Sequence, residues 1–548
     1  MQIGNFVKMI ENAIITNWDE KSMSLYKGEG KTYKEVGQAI LQFHTIFKQA
    51  GINKGDKISL IGLNDYHWGI AYLSVITYGA VIVPILQDFH PQDIAHIIEH
   101  SDSVLLIGTD SIIGKLDVTK FDKLLGIILL DDFSGKNLQS NKIEDIVKDN
   151  ISNTVSSEKE EFKLPKISND DLAVISYTSG TSGFSKGVML PHLSLASNVQ
   201  FGIDYIGLKP GDNIVSFLPL AHAFACSFEF LTTFIMGCNI TFLGKVPSPT
   251  VILQAFKEIK PRLIFSVPLI IEKIFRLRIK PKIETGIAKT LIKIPLLNKI
   301  VYNKVRKQLN EAFGDNFMEV IIGGAALNPE VESFLKKSKF RFTVGYGMTE
   351  CGPLISYSNW KVARKHSCGK AIDCIEVKID SPDPRNIVGE ILVKGSNVMD
   401  GYYKNPEITA STIDSDGWLH TGDLGIIDNN EYVFIKGRSK NMILSSSGQN
   451  IYPEEIESKI NNLPFVLESI VVECEGKLQA LIVPDKDACQ NHGITEERLD
   501  YIMTQNHQHI NAHLPSFMLV SKFIIHDGEF EKTAKKSIKR FKYKPIEN

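Results

Sequence analysis

The sequence predicts a multi-layer α/β fold in two parts. A large N-terminal domain carries mostly parallel sheets and a small β-rich subdomain, and an α+β domain ends the chain. Three observations lead there. Short apolar runs alternate with helix-like segments through the first two thirds of the chain: KISLIGLN, GAVIVPI, SVLLIGT, LLGIILLDD, LAVISYTSG, NIVSFLPL, RLIFSVP and FMEVIIGG. Such unbroken runs, rich in branched residues, suit strands buried on both faces between helices. From about residue 372 the runs become IEVKI, GEILVKG and YVFIKG, separated by glycine-containing turns, as in an antiparallel subdomain. Near residue 440 the pattern changes again, to a helix in IYPEEIESKIN, strands in ESIVVEC and LQALIVP, and a helix in RLDYIMTQNHQHINAHL.

Each element follows from local signals. An N-terminal helix is expected in the segment beginning GNFVKMIENAI, and a polar stretch near 145–170 is expected to break the alternation before the LAVISYTSG strand. The apolar run FLPLAHAFACSFEFLTTFIMG contains His222 and Glu229 and lies between strand and turn signals, which favours a buried helix over a membrane span. The runs of the first part end in Pro, Gly or polar residues, where open parallel sheets hold their ligands. No internal repeat or low-complexity segment is evident.

Composition bounds the function. The 548 residues include 61 Lys and Arg against 63 Asp and Glu, a formal net charge of -2. A general affinity for nucleic acid is therefore not expected, although local basic patches remain open. Seven cysteines (226, 238, 351, 368, 374, 474 and 489) are scattered without a CxxC pair, which argues against a disulfide scaffold or thiolate zinc site and for a reducing compartment. The N-terminus lacks an uninterrupted signal-peptide core, so a cytoplasmic location is expected. Residues 272–309 stand apart, with eleven Lys or Arg against two Glu interleaved with Ile, Leu, Phe and Val. They read either as a surface for an anionic membrane or as a helical pair with solvated charges, interrupted by Pro281 and Pro295.

The strongest chemical signal is VISYTSGTSGFSKGVMLPH, residues 174–192. A strand leads into Thr178, Ser179, Gly180, Thr181, Ser182 and Gly183, and Lys186 and Gly187 follow. Small residues let backbone N–H groups approach a polyanion, hydroxyls add donors and a lysine adds charge. The spacing is not that of the usual nucleotide loop, because Lys186 precedes Gly rather than Ser or Thr.

This stretch resembles the signature of the adenylate-forming superfamily, which includes acyl-CoA synthetases, luciferases and peptide-synthetase adenylation domains. IIGGAAL (321–327), YGMTE (346–350), GWLHTGDLG (417–425) and GRSKNMI (437–443) resemble its other motifs in family order. GNFVKMIENAI and SSSGQNIYPEEIE are most similar to bacterial long-chain acyl-CoA synthetases.

The resemblance implies a residue-by-residue site. Thr178 through Lys186 would enclose the ATP phosphates; Gly324, Ala325 and Ala326 would border adenine; and Tyr346, followed by Gly347 and Met348, would stack near the ring. Thr349 would contact the α-phosphate, and Glu350 with Thr178 would hold Mg2+. Asp423 and Arg438 would meet the ribose, and His222 would lie beside the acyl carboxylate. The implied domains are 1–437 for adenylation, a hinge at 438–440 centred on Lys440, and a mobile unit at 441–548 that brings Gly448 to the thiol of coenzyme A.

The implied activity is a long-chain fatty acid–CoA ligase. An acyl carrier protein as acceptor, other acids, or a non-catalytic relative remain open. The tail EKTAKKSIKR departs from the family pattern, because Ser537 stands where a catalytic lysine is expected before Ile538, Lys539 and Arg540. Lys536 is the nearest replacement and Lys535 the next.

Overall fold

The computed structural model describes residues 1–138, 142–152, 158–179, 185–244, 248–283, 290–292, 294–295, 297–444, 449–474, 476–533 and 538–543. Its largest sheet has eight strands. In spatial order they are Gly401–Tyr402, Ser185–Pro191, Leu172–Ser179, Val81–Ile85, Lys57–Ile61, Ser103–Gly108, Gly126–Leu129 and Gly135–Asn137. The five strands from Leu172–Ser179 to Gly126–Leu129 run parallel, and antiparallel partners close both ends.

Alternation along these strands fills two cores. Ile58, Leu60, Ile82, Leu105 and Ile107 face one layer, while Ile61, Val81, Val83, Ile85, Leu106 and Ile127 face the other. A strand buried on both faces has no polar side to show, which is why these segments read as unbroken apolar runs. Helix Tyr66–Tyr78 covers the first layer and is buried nearly all round, while Pro91–His100 covers the second through Ile94, Ile97 and Ile98. Helix Tyr33–Gln49 begins with a capping box, in which Thr32 accepts from the Glu35 backbone N–H and the Glu35 carboxylate accepts from that of Thr32.

Two smaller parallel sheets continue the layers. One holds Asn213–Ser216, Asn239–Phe242 and Lys21–Leu25 with an antiparallel edge at Gly30–Thr32; the other holds Ile264–Ser266, Val320–Ile322 and Phe342–Val344. The β-rich subdomain is a four-stranded antiparallel sheet of Ile375–Asp380, Gly389–Gly395, Leu419–Ile427 and Val433–Arg438. The last part packs helices Pro453–Ile460 and Glu496–Asn511 on strands Val466–Cys474, Lys477–Pro484 and Val520–Ile525, with its own apolar clusters.

Two sequence expectations are corrected. The polar stretch at 145–170 contains most of a helix, Ile143–Ser152, pinned to the core by Ile143 and Val147 one turn apart. Pro281 does not interrupt the helical run but lies within the helical piece Lys280–Ile283, which follows a π-turn at Phe275–Ile279. The apolar run around His222 holds a buried helical stretch, Ala225–Thr232, as its composition suggested, although it is wound as a π-helix. Among the described residues, no helix is long and apolar enough to cross a membrane.

Polar contacts join the C-terminal part to the rest. Arg276 Nη2 donates to the Asn461 carbonyl at 3.1 Å, Asn328 Nδ2 to Asn462 Oδ1 at 2.6 Å, and Lys436 meets Glu455 at 3.6 Å.

Candidate active site

The phosphate-loop strands form an antiparallel hairpin whose register sets Thr178 opposite Lys186. Side chains so paired share one face of the sheet about 5 Å apart at Cβ. Gly180, Thr181, Ser182 and Gly183 lie outside the described residues, and Ser179 ends the first strand. The edge strand Gly401–Tyr402 pairs with Val188 and Met189 of the hairpin and delivers Tyr402 to it. The Lys186 ammonium lies 4.9 Å from the centre of the Tyr402 ring, and the Tyr402 hydroxyl donates to Glu350 Oε1 at 2.9 Å. One aromatic ring thus brings the lysine and the carboxylate of two distant motifs together.

Burial lowers the Lys186 pKa, and the positive charge of Lys440 lowers it further, opposed by Glu350. The Lys440 charge therefore falls within reach of the phosphate-loop lysine. A cluster of cations beside one carboxylate is unfavourable alone and becomes favourable when a polyanion enters.

A second group forms across the β-rich subdomain. Asp423 and Arg438 are register partners, and Arg438 Nε lies 2.9 Å from Asp423 Oδ1. The buried Tyr346 hydroxyl donates to Asp423 Oδ2 at 2.8 Å. Burial raises the Asp423 pKa, Arg438 and the Tyr346 hydrogen bond lower it, and Glu350 and Glu454 raise it. The carboxylate is held in place from both oxygens, as an acceptor for vicinal hydroxyls requires. Gly347 is dictated by packing, since a Cβ there would come within 2.2 Å of the Pro353 carbonyl oxygen. Met348 is half-buried, and Thr349 is buried in the turn Thr349–Cys351. Asn198 fixes that turn, donating to the Cys351 carbonyl at 3.1 Å, as does Ser227, which donates to the Gly352 carbonyl at 2.8 Å.

Gly324, Ala325 and Ala326 form an exposed loop after strand Val320–Ile322, and Gly324 has φ 89°, a conformation natural to glycine. His222 follows a turn, its backbone N–H donating to the Pro219 carbonyl. Two residues on, the Phe224 ring would lie 3.1 Å from a Cβ on Gly323, so the His222 segment abuts the base of the 324–326 loop. Glu229 secures this segment from below, accepting from the Phe217 and Leu218 backbone N–H groups, and Asn64 accepts from the Leu220 N–H at 3.0 Å. Full burial pushes the Glu229 pKa up to about 8. Gly448, Lys535, Lys536 and Ser537 lie outside the described residues.

Around them the tail is tied down. Lys532 pairs with Glu468 at 2.7 Å, Lys539 with Glu531 at 2.6 Å, and Arg540 with the buried Glu457. A bridge joins Lys532 to Ile538.

Sequence reasoning missed Tyr402, Asn64 and Glu454. Tyr402 lies in GYYKNPE, where only its pairing with a hairpin more than 200 residues earlier gives it a role. A strand-like GYY run was the sole signal.

For Mg2+, the residues present fit the ion. Magnesium is held through one or two carboxylates together with phosphate oxygens, rather than by an all-protein cage. Glu350 supplies one carboxylate beside Lys186 and Tyr402, and no group of three or more His, Cys, Asp or Glu that could hold a metal occurs among the described residues.

The hairpin carrying Lys186 and the subdomain carrying Asp423 and Arg438 thus each present a built polar group. The sequence profile of the AMP-binding enzyme family matches residues 13–403, and the chain belongs to that family. Its class is that of ATP-dependent, AMP-forming acid–thiol ligases. Among curated relatives, the chain is similar to 4-coumarate–CoA ligase 4 of Arabidopsis thaliana, with 28% identity over 80% of this chain and 74% of the relative. It is also similar to the chloroplastic long-chain-fatty-acid–[acyl-carrier-protein] ligase AEE15 of the same plant, with 27% identity over 84% and 73%. ATP-bound MatB from Rhodopseudomonas palustris shares the fold, with a TM-score of 0.76, 24% identity and 98% of each chain covered.

Proposed function

We propose that this protein is a long-chain fatty acid–CoA ligase acting in the cytoplasm. The observation that carries the reading is the convergence of Lys186 and Glu350 on one aromatic ring, together with the hydrogen-bonded group of Asp423, Tyr346 and Arg438. The acid side rests on the apolar segment beyond His222, where Phe224, Phe228 and Phe265 gather with ring centroids 6.0–6.4 Å apart next to Gly323. Such a wall suits an alkyl chain better than a charged acid.

A carboxylate is a poor acyl donor, because oxide or hydroxide would have to leave. In the first half-reaction its oxygen attacks the α-phosphorus of ATP, the bond to the bridging oxygen breaks, and acyl-AMP and pyrophosphate form. Lys186 stabilises the departing pyrophosphate and Thr349 positions the α-phosphate, while Asp423 holds the ribose so that attack is in line. Bound Mg2+, held by Glu350 and Thr178, would offset repulsion between the carboxylate and the phosphates. In the second half-reaction the thiol of coenzyme A attacks the acyl carbonyl, AMP leaves, and the thiol proton passes to solvent. His222 would border the acyl carboxylate, and Gly324, Ala325 and Ala326 the adenine. The C-terminal part would turn about Lys440 between the two steps, carrying Gly448 to the thiol. The polar joins at Arg276, Asn328 and Lys436 suit a surface that parts and re-forms.

The carrier-protein acceptor is a second reading, supported by the similarity to the acyl-carrier-protein ligase AEE15. One assay separates the two: acid-dependent pyrophosphate release over a panel of acids, with products identified by mass in the presence of CoA. Release with long-chain acids and formation of acyl-CoA are expected. Release without CoA consumption would favour the carrier protein, and ATP binding with no acyl-AMP from any acid would sink the enzyme reading.

A further inference from the structure

The basic segment takes no part in the site above, yet the structure gives it a definite surface. Helix Asn298–Ala312 buries Val301, Val305 and Leu309 at four-residue spacing. Leu297 at the N-cap is exposed, and so are Ile300, Lys304 and Lys307 along a stripe flanking the buried one. Three large aliphatic side chains stand out within seven residues: Ile294 is 40% exposed, Leu297 39% and Ile300 59%. Pro295 and Lys299 between them are exposed as well.

The preceding helical run lies alongside. Lys282 Nζ donates to Gln308 Oε1 at 3.3 Å, and Phe275 and Tyr302, one from each run, both pack edge-on against Phe334. The exposed cations Lys273, Arg278, Lys299 and Lys304 have no carboxylate within ion-pair distance among the described residues, in a chain whose formal net charge is -2.

We propose that this face docks on an anionic lipid surface, with Ile294, Leu297 and Ile300 entering the headgroup boundary and Lys299 and Lys304 meeting lipid phosphates. Charge complementarity selects this occupant. A second copy of the chain would bring like charges face to face and be repelled. Nucleic acid would satisfy the cations but gain nothing from three aliphatic side chains at their centre. A bilayer interface rewards both at once, since apolar groups enter the acyl boundary while lysines stay with the headgroups. The inference does not rest on the acid that the site activates.

The test is co-sedimentation of the full-length protein with phosphatidylcholine vesicles, with and without phosphatidylglycerol, at low and high salt. Binding is expected only with phosphatidylglycerol and should weaken as salt rises. Lys299→Gln/Lys304→Gln should lower the partition coefficient on the order of 25-fold, since each juxtamembrane cation contributes about fivefold. Leu297→Glu/Ile300→Glu should lower it at least as much, while both variants keep pyrophosphate release from a water-soluble acid. Equal partition onto neutral vesicles, or unchanged partition of either double variant, would overturn the proposal. RNA binding lost only in the lysine variant, or a dimer broken only by the glutamate variant, in the absence of vesicle binding would likewise overturn it.

Discussion

The hairpin that carries Lys186 and the C-terminal stretch bridged at Lys532 and Ile538 both belong to sequence segments rich in basic and hydroxyl residues. In the hairpin, Lys186 lies over the Tyr402 ring, whose hydroxyl donates to Glu350. In the C-terminal stretch, each described cation is already matched by a carboxylate of its own unit: Lys532 by Glu468, Lys539 by Glu531 and Arg540 by Glu457. The difference teaches how to read a basic run. Local charge density marks both places, but only Lys186, with no carboxylate within ion-pair distance among the described residues, has anything left to offer a polyanion. In EKTAKKSIKR, Lys532, Lys539 and Arg540 are structural, and the functional question narrows to Lys535 and Lys536 around Ser537.

The largest expected effect is at the structural end of this comparison. Arg540→Ala leaves the Glu457 carboxyl buried without its partner; burial already pushes that pKa up to about 7. Removing one member of such a pair costs about 3–5 kcal/mol. Thermal melts should show the C-terminal unit unfolding early, and a melt like that of the wild type would break the structural assignment. At the other end, Lys186→Ala should slow acid-dependent pyrophosphate release on the order of 10²- to 10³-fold, as losing one fixed transition-state cation does, with little change in melting.

Lys536→Ala sharpens the comparison within the tail itself. It should slow adenylation much more than the reaction of preformed acyl-AMP with CoA, and Ser537→Lys should raise adenylation. Equal effects on both half-reactions would remove Lys536 from the role.

The smallest effect is a pH slope. The Glu229 pKa is about 8 in the fold against 4.5 for a free glutamate, so between those values the folded state holds a proton that the unfolded state has released. Stability should therefore fall by about 1.4 kcal/mol per pH unit as pH rises through that window. Glu229→Gln should flatten the slope, measured by denaturant unfolding at a series of pH values.

Much of the fold was legible because parallel strands buried on both faces leave continuous apolar runs, and each of the eight short runs read as a strand between residues 57 and 324 contains one. The helix Ile143–Ser152 was missed because three apolar residues, Ile143, Ile146 and Val147, anchor an otherwise polar segment. The π-turns at Ala225–Thr232 and Phe275–Ile279 left no sequence signal, since they are set by what the helix packs against. For the site, three residues that the motifs singled out, Tyr346, Asp423 and Arg438, lie in mutual contact through the Asp423 carboxylate. Tyr402, beyond the strand-like GYY run, and Asn64 carried no sign of their roles, because each acts through a contact that only the folded chain creates.

The most direct test of the central claim is ATP–pyrophosphate exchange in the presence of a panel of carboxylic acids, comparing the wild type with Lys186→Ala. Acid-dependent exchange in the wild type, strongest with long-chain acids and lost in the variant, is the predicted result. Exchange that does not depend on an acid, or that survives the loss of Lys186, would contradict the site described for this chain.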